Sequence, residues 1–307
     1  MVTNIPEIDS LMVGLYGDIK TGKTSFMLSM PKPIVDFDFD QSFDRAAARA
    51  LMNTDLSWHK VMPDEELTDE ILNTYDVIVR CYDMPLQLPG MPLEGFVHLW
   101  EEKLIPEFMK TLNTPRIKSI GIDTGTLFWT VDHQAQLERV QRESSNKVRQ
   151  RLLPVEYARP NTEARSLLGA VRNKRKNLVA LHHVGPKHGP GYETVRRGNR
   201  EEKVFKPDVL LGETWSGFSH LGQIVDVIAR SRVEKQCTTC ETTFADTPAG
   251  RLEHGTHQVD SKVVPTLEVE YCGYSLQASG MKFQNPTYDG LFNSVNALRL
   301  ADVTAGQ

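Results

Sequence analysis

The sequence predicts an α/β protein in which a mostly parallel sheet is covered by helices and followed by a C-terminal antiparallel β extension. Three observations carry this. Short apolar or β-branched runs alternate with helix-forming segments between residues 11 and 184, the rhythm of βαβ crossovers. The first run, LMVGLYG at 11–17, leads through the loop GDIKTGKT into the helix-forming stretch KTSFMLSM. Beyond residue 235 the pattern changes, and CTTCETTF, PTLEVEYCGYSLQ and FQNPTYDG read as antiparallel hairpins.

The remaining elements follow in order. PIVDFDFD (33–40) is strand-like and precedes the Ala-rich helix QSFDRAAARALMN (41–53). The acidic PDEELTDE (63–70) reads as a solvated turn and helix start before the strand DVIVRCY (76–82). GFVHLWEEKLIPEFMKTL (95–112) has helical apolar spacing interrupted by Pro106, and it delivers the chain to the strand IKSIGID (117–123). Helices are predicted for TLFWTVDHQAQLERVQRE and around TEARSLLGAVRNKRK, then a strand for NLVALHHV (177–184). Residues 185–213, rich in Gly, Pro and basic groups, read as a long loop. HLGQIVDVIARSRVEK (220–235) reads as a helix and a strand that resume the core. The domain plan is therefore a core over 1–235 that includes the basic loop, a hairpin insertion at 236–260, and a β extension over 261–307 that completes the core.

Composition is that of a soluble globular chain, with 40% hydrophobic and 24% charged residues and a net charge of -5. No global basic excess advertises nucleic acid, so an anionic partner has to be met by a local patch. The start, MVTNIPEIDS, lacks the features of a secretory signal, and no apolar run reaches the roughly 20 residues of a membrane span. The expected location is cytoplasmic, with no membrane partner. Four cysteines, two of them three positions apart, fit a reducing compartment rather than a disulfide framework; Cys81 and Cys272 lie in strand-like runs and read as core.

Gly17 and Gly22 bracket four residues and are followed by Lys23 and Thr24, the full G-x-x-x-x-G-K-[ST] pattern of a phosphate-binding loop. With a strand before it and a helix after it, backbone amides and a positive helix end converge on phosphate oxygens. The nucleotide-binding residues are then Gly17, Asp18, Ile19, Lys20, Thr21, Gly22, Lys23, Thr24 and Ser25, with Lys23 on the β/γ-phosphates and the Thr24 hydroxyl on Mg²⁺. The metal needs a further carboxylate at a neighbouring strand tip, and Asp123 supplies it; an ordinary helix-capping role for Asp123 is the alternative. Asp36, Asp38 and Asp40 alternate and share one strand face. Asp40 is the candidate for orienting the attacking water, with a cap of the following helix as the equal alternative.

On these residues the chain resembles the RecA-like branch of P-loop ATPases, and within it phage-encoded nucleotide-binding proteins of the single-strand annealing and recombination type. The matching pieces are GDIKTGKTSF, VDFDFDQSFD, the Asp-Thr after IKSIGI, and NLVALHHV, with a weaker echo in GMKFQNPTYDGL. The resemblance implies ATP and Mg²⁺ as cofactors, and a polar γ-phosphate sensor at the strand end, which falls on His182 or His183. That family usually offers Glu where this chain has Asp40. It also implies a DNA-contacting loop after the sensor strand, here carrying Lys187, His188, Tyr192, Arg196, Arg197, Arg200 and Lys203. The implied partners are single-stranded DNA, further copies of the chain with ATP at subunit interfaces, and a single-stranded-DNA-binding protein. Lys282, Arg230 and Arg232 are candidates for a basic residue that completes a neighbour's site. An AAA+ machine is disfavoured, since Asp123 is followed by Thr rather than the Glu of that family.

Cys237 and Cys240, followed by His254 and His257, have spacing near a Cys₂His₂ pattern and can close a tetrahedral Zn²⁺ site. An exposed polar hairpin with reduced cysteines is the other reading. The function expected from the whole sequence is a Mg²⁺-dependent ATPase acting on single-stranded DNA in recombination or annealing. The alternatives are a P-loop phosphotransferase on a small molecule and a non-hydrolysing nucleotide switch.

Overall fold

The computed structural model describes all residues except 1–7, 42, 45–50, 52–53, 145–147, 198–199, 239–242, 246–260 and 306–307. Its centre is a ten-stranded sheet in the order β12-β11-β9-β1-β6-β5-β2-β4-β3, with β10 added against β9. The strands are β1 (Met12–Gly17), β2 (Ile34–Asp38), β3 (Trp58–Val61), β4 (Val77–Cys81), β5 (Ser119–Asp123), β6 (Asn177–His182), β9 (Val227–Cys237), β10 (Thr243–Ala245), β11 (Ser261–Cys272) and β12 (Lys282–Gln284). From β9 across to β3 every pairing is parallel, whereas β10, β11 and β12 run antiparallel to their neighbours. The central strands are buried throughout, as continuous apolar runs in a doubly covered parallel sheet must be.

Two cores lie on opposite faces. On one, Val13, Leu15, Val179, Leu181, Val227, Ala229 and Leu267 pack under α1 (Lys23–Met27) and the C-terminal helix. On the other, Met12, Tyr16, Ile120, Ile122, Leu178 and Ala180 pack against Phe108 of α3 (Ile105–Asn113), Phe128 and Val131 of α4 (Gly125–Glu143) and Leu167 and Leu168 of α5 (Ala158–Asn173). Between β3 and β4, α2 (Asp69–Thr74) is started by Thr68, whose hydroxyl accepts from the Ile71 N–H at 3.2 Å. Pro106 sits in the first turn of α3, where its missing N–H costs nothing, and a π-helical stretch, His98–Leu104, leads into it. Among the described residues no helix is long and apolar enough to cross a membrane.

The structure departs from the sequence reading in five places. Residues 185–213 are not a loop: Val184–Arg197 (β7) and Arg200–Trp215 (β8) form a separate two-stranded antiparallel ribbon. The glycines and prolines that argued for a loop are absorbed at register shifts between Lys187 and His188 and between Gly189 and Gly191, as β-bulges allow. The helix expected before β9 is one 3₁₀ turn, Leu221–Gln223. β3 was not anticipated, because it is an edge strand with an exposed or half-buried start and no apolar run to announce it. The extension over 261–307 ends in an α-helix, α6 (Tyr288–Ala305), rather than in β structure alone. Finally, the boundary drawn at 235 cuts through β9, which pairs with β11 along Ser261–Cys272, so the extension and the core share one sheet. The helix predicted over 41–53 lies mostly outside the described residues.

Candidate functional site

The site is built at the carboxyl end of the parallel strands, where β1 ends at Gly17 and the chain turns into α1. The turn needs two left-handed residues, Lys20 (φ 64°) and Gly22 (φ 90°), and Gly22 sits at the N-cap of α1. Gly17 lies so close to β9 that an added Cβ would be 2.2 Å from the Ser231 carbonyl oxygen. Ser231 also braces the loop, its hydroxyl donating to the Thr21 carbonyl at 2.8 Å, and Thr21 donates back to the Asp18 carbonyl at 2.9 Å. Lys23 is folded onto this loop: its ammonium donates to the carbonyls of Gly17 at 2.8 Å and Asp18 at 2.6 Å. Burial pushes its pKa down, opposed by the negative charges of Asp123, Asp18 and Asp40. Ile19, in contrast, is 75% exposed at the loop's crest.

The Thr24 hydroxyl donates to Asp123 Oδ2 at 2.9 Å, although β6 separates β1 from β5 and 99 residues separate the two in sequence. This pair fits a Mg²⁺ ion, since a hydroxyl and a carboxylate oxygen that meet at hydrogen-bond distance can both turn to one octahedral cation between them. Asp123 does not cap the helix that follows. Thr124 does, accepting from the Leu127 N–H at 3.2 Å, which leaves the Asp123 carboxylate to the site.

The second strand brings two more carboxyls to this face. Asp38 is level with Asp123 and with Cys81, and Asp36 is level with Gly121, whose lack of a Cβ makes room for Met27 Sδ and Asp36 Oδ1. The acidic strand end thus does not project freely: Asp36 and Asp38 are fully buried. Both Asp36 oxygens and Asp38 Oδ1 lack a hydrogen-bond partner among the described residues. Asp38 Oδ2 accepts from the Phe43 N–H at 3.4 Å, and Asp40 beyond it is exposed. Burial first, then the charges of Asp123 and Asp40, push the Asp38 pKa up to about 7; burial and the same neighbours raise Asp36 well above the carboxylate range.

His182 is turned the other way. It is level with Tyr16, on the face opposite α1, and its ring packs against the start of α4, where a Cβ on Gly125 would lie 2.5 Å from Nε2. Its Nδ1 is 3.0 Å from the Ser216 carbonyl, and burial lowers its pKa to about 4, so the ring is neutral at physiological pH. His183 is partly exposed, and its backbone N–H donates to Thr126 Oγ1 at 3.1 Å. Thr126 donates in turn to the Ser216 carbonyl at 3.0 Å, which anchors the exit of β8 to the helix that follows Asp123.

In the ribbon, Tyr192 is level with Phe205, Thr194 with Lys203, Arg196 with Glu201, and Arg197 with Arg200. Lys187, level with Gly212, and Lys203 are exposed, and Phe205 is 58% exposed. The three candidates for completing a neighbour's site are all engaged within the chain: Arg230 with Glu213 and over the Tyr16 ring, Arg232 with Glu268 at 3.4 Å, and Lys282 with Glu234 at 3.7 Å. Of the zinc candidates, Cys240, His254 and His257 lie outside the described residues. Cys237 is the buried last residue of β9 rather than a turn residue, and among the described residues no three His, Cys, Asp or Glu side chains gather as a metal-holding group. Cys81 and Cys272 are buried in β4 and β11.

Ser231 and Thr124 were not legible as site residues. Ser231 is 210 positions from the loop it braces, and only the β1–β9 pairing brings it there.

The buried carboxyls carry a pH signature. A carboxyl whose folded pKa is raised keeps its proton where the unfolded chain has lost it, so the stability it confers at low pH drains away as pH rises. For Asp38 that loss runs from about pH 4 to about 7. For Asp132, on α4, pushed up to about 9 chiefly by burial, it continues to about pH 9. Asp38→Asn is therefore expected to lessen the fall in urea midpoint between pH 4 and 7, and Asp132→Asn to lessen it across the whole of pH 4–9. Parallel wild-type and variant curves across pH 4–9 would contradict these assignments.

Compared with known proteins, residues 9–80 match a family model described as "AAA domain". The match covers the phosphate loop and the acidic second strand and stops short of Asp123-Thr124, the dipeptide on which the distinction from AAA+ machines was drawn. No curated protein matches the chain. Among solved structures, a KaiC-like protein from the hyperthermophilic archaeon Pyrococcus horikoshii OT3 is similar at 9% identity with a TM-score of 0.36, over 91% of this chain and 85% of that one. A P-loop nucleotide site on a mostly parallel α/β sheet is thus what this chain presents.

Proposed function

We propose that the chain is a Mg²⁺-dependent ATPase of the RecA type that acts on single-stranded DNA in annealing or recombination. The observation that carries the ATPase reading is the meeting of Thr24 and Asp123 at 2.9 Å beside a complete phosphate loop. Lys23 would exchange its two loop carbonyls for phosphate oxygens when nucleotide enters, and Mg²⁺ held by Thr24 and Asp123 would neutralise charge as the terminal phosphate leaves. Asp40, exposed at the strand end, is the carboxylate with room to orient a water.

The DNA part of the reading rests on the ribbon. Its register sets Tyr192 level with Phe205, Thr194 with Lys203, and Arg196 with Glu201 toward the tip. Aromatic rings for base stacking beside cations for phosphates suit a single strand. Assembly with further copies, and cooperation with a single-stranded-DNA-binding protein, belong to the same proposal.

The test is ATP hydrolysis by wild type and Lys23→Ala with and without single-stranded DNA. DNA-stimulated turnover that disappears in the variant supports the reading. Phosphate transfer to a small acceptor independent of DNA would replace it with the phosphotransferase reading, and tight ATP binding without turnover would favour the switch.

A further inference from the structure

β9 and β11 do not stop at the level of the phosphate loop. Gly17 is level with Ser231, yet β9 continues to Cys237 and β11 accompanies it from Ser261, so the two strands rise past the loop as a wall. Side chains alternate along a strand. Ala229 and Leu267 point into the core under α1, so Val233 on β9 and Val263 and Pro265 on β11 face the same side, above the loop. Pro265 reaches the loop itself, since an added Cβ on Gly22 would be 3.3 Å from Pro265 Cβ. Val263 is 64% exposed, an apolar group left open among the described residues. The Asn285 N–H donates to the Pro265 carbonyl at 2.8 Å, which fixes the exposed Asn285 at the rim of this wall in a left-handed conformation, φ 47°.

The site's polarity says which end of a nucleotide meets this wall. Mg²⁺ held by Thr24 and Asp123 would serve the phosphate that leaves, so these two residues mark the terminal-phosphate end. Asp123 stands on β5, on one side of β1, and β9 and β11 stand on the other. A triphosphate lying along the loop therefore sends its nucleoside toward Pro265 and Val263.

We propose that Val263 and Pro265 are the platform on which the nucleobase rests and that the Asn285 side-chain amide reads its edge in favour of adenine. The proposal rests on the ATP-binding reading above and adds to it the residues that hold and select the base. A purine face covers apolar groups that are otherwise in water. Adenine presents a donor beside an acceptor, the complement of an amide, whereas the matching edge of guanine presents two acceptors.

The experiment is equilibrium binding of ribose-labelled fluorescent ATP and GTP, with Mg²⁺, to wild type, Asn285→Gly, Val263→Glu and Lys23→Ala. Glycine keeps the left-handed backbone available at 285, so the fold is preserved while the amide is removed. Wild type is expected to prefer ATP. Asn285→Gly should weaken ATP alone by about tenfold, one good amide pairing's worth, and Val263→Glu should weaken both nucleotides by about as much. Wild-type affinities for both nucleotides in both wall variants, or a wild type indifferent to the base, would overturn the proposal while Lys23→Ala, binding neither, leaves the phosphate site standing. A wild type that binds neither nucleotide would overturn the nucleotide reading as well.

Discussion

Lys23→Ala is expected to lower ATP turnover by about 10² to 10³-fold, the usual loss when a single preorganised charge is removed from a transition state. The site explains the size of the loss. Asp18, Asp36, Asp38, Asp40 and Asp123 surround the loop end, and Lys23 is the cation folded among them, on the carbonyls of Gly17 and Asp18. Without it an incoming triphosphate meets carboxyl groups and one bound Mg²⁺. The fold should survive, because the ammonium is a group that burial already disfavours, so the variant's melting temperature should stay close to that of wild type. Turnover, fluorescent-ATP binding and a thermal melt on the same preparation check this. A variant that hydrolyses ATP at the wild-type rate would remove Lys23 from the mechanism.

Gly17→Ala should act on the fold as well as on the site. The added Cβ would fall 2.2 Å from a backbone carbonyl, Ser231 O, so no side-chain rotation relieves the contact and β1 and β9 have to part. A cost of about 3 kcal/mol is expected for overpacking against backbone in a buried sheet. The same parting withdraws Ser231 from Thr21, so ATP binding should weaken with stability. Gly169→Ala is the matched control: on α5 an added Cβ meets nothing within 4 Å, and the variant should gain about 0.5–1 kcal/mol from helix propensity. Urea unfolding of the two variants should move in opposite directions, and equal midpoints would refute the close-approach argument.

Much of the fold was legible because the relevant signals are local. The strand–loop–helix at 11–27 is announced by an apolar run, two glycines and a Lys-Thr pair. β2, β4, β5 and β6 fall within the runs 33–40, 76–82, 117–123 and 177–184, since a strand buried on both faces has to be apolar nearly throughout. Residues 184–215 show where local signals mislead. Gly and Pro density argued for a loop, yet cross-strand pairs such as Tyr192 with Phe205 and Val195 with Glu202 form a ribbon once bulges take up the irregular residues. The edge strand β3 was missed because its apolar groups are sparse, and α6 because its apolar groups, though frequent, answer to strands far along the chain.

The sequence by itself determined that phosphates are gripped between Gly17 and Thr24, because that loop's chemistry is written in consecutive residues and needs only a strand before it and a helix after it. Tertiary structure decided what surrounds the loop. It brought Asp123 to Thr24 across an intervening strand, buried Asp36 and Asp38 while leaving Asp40 exposed, and turned His182 to the opposite face. It also raised β9 and β11 past the loop as a wall. Each outcome follows from strand order and register, which set what stands beside the phosphates by pairing residues up to hundreds of positions apart. No local pattern encodes that arrangement.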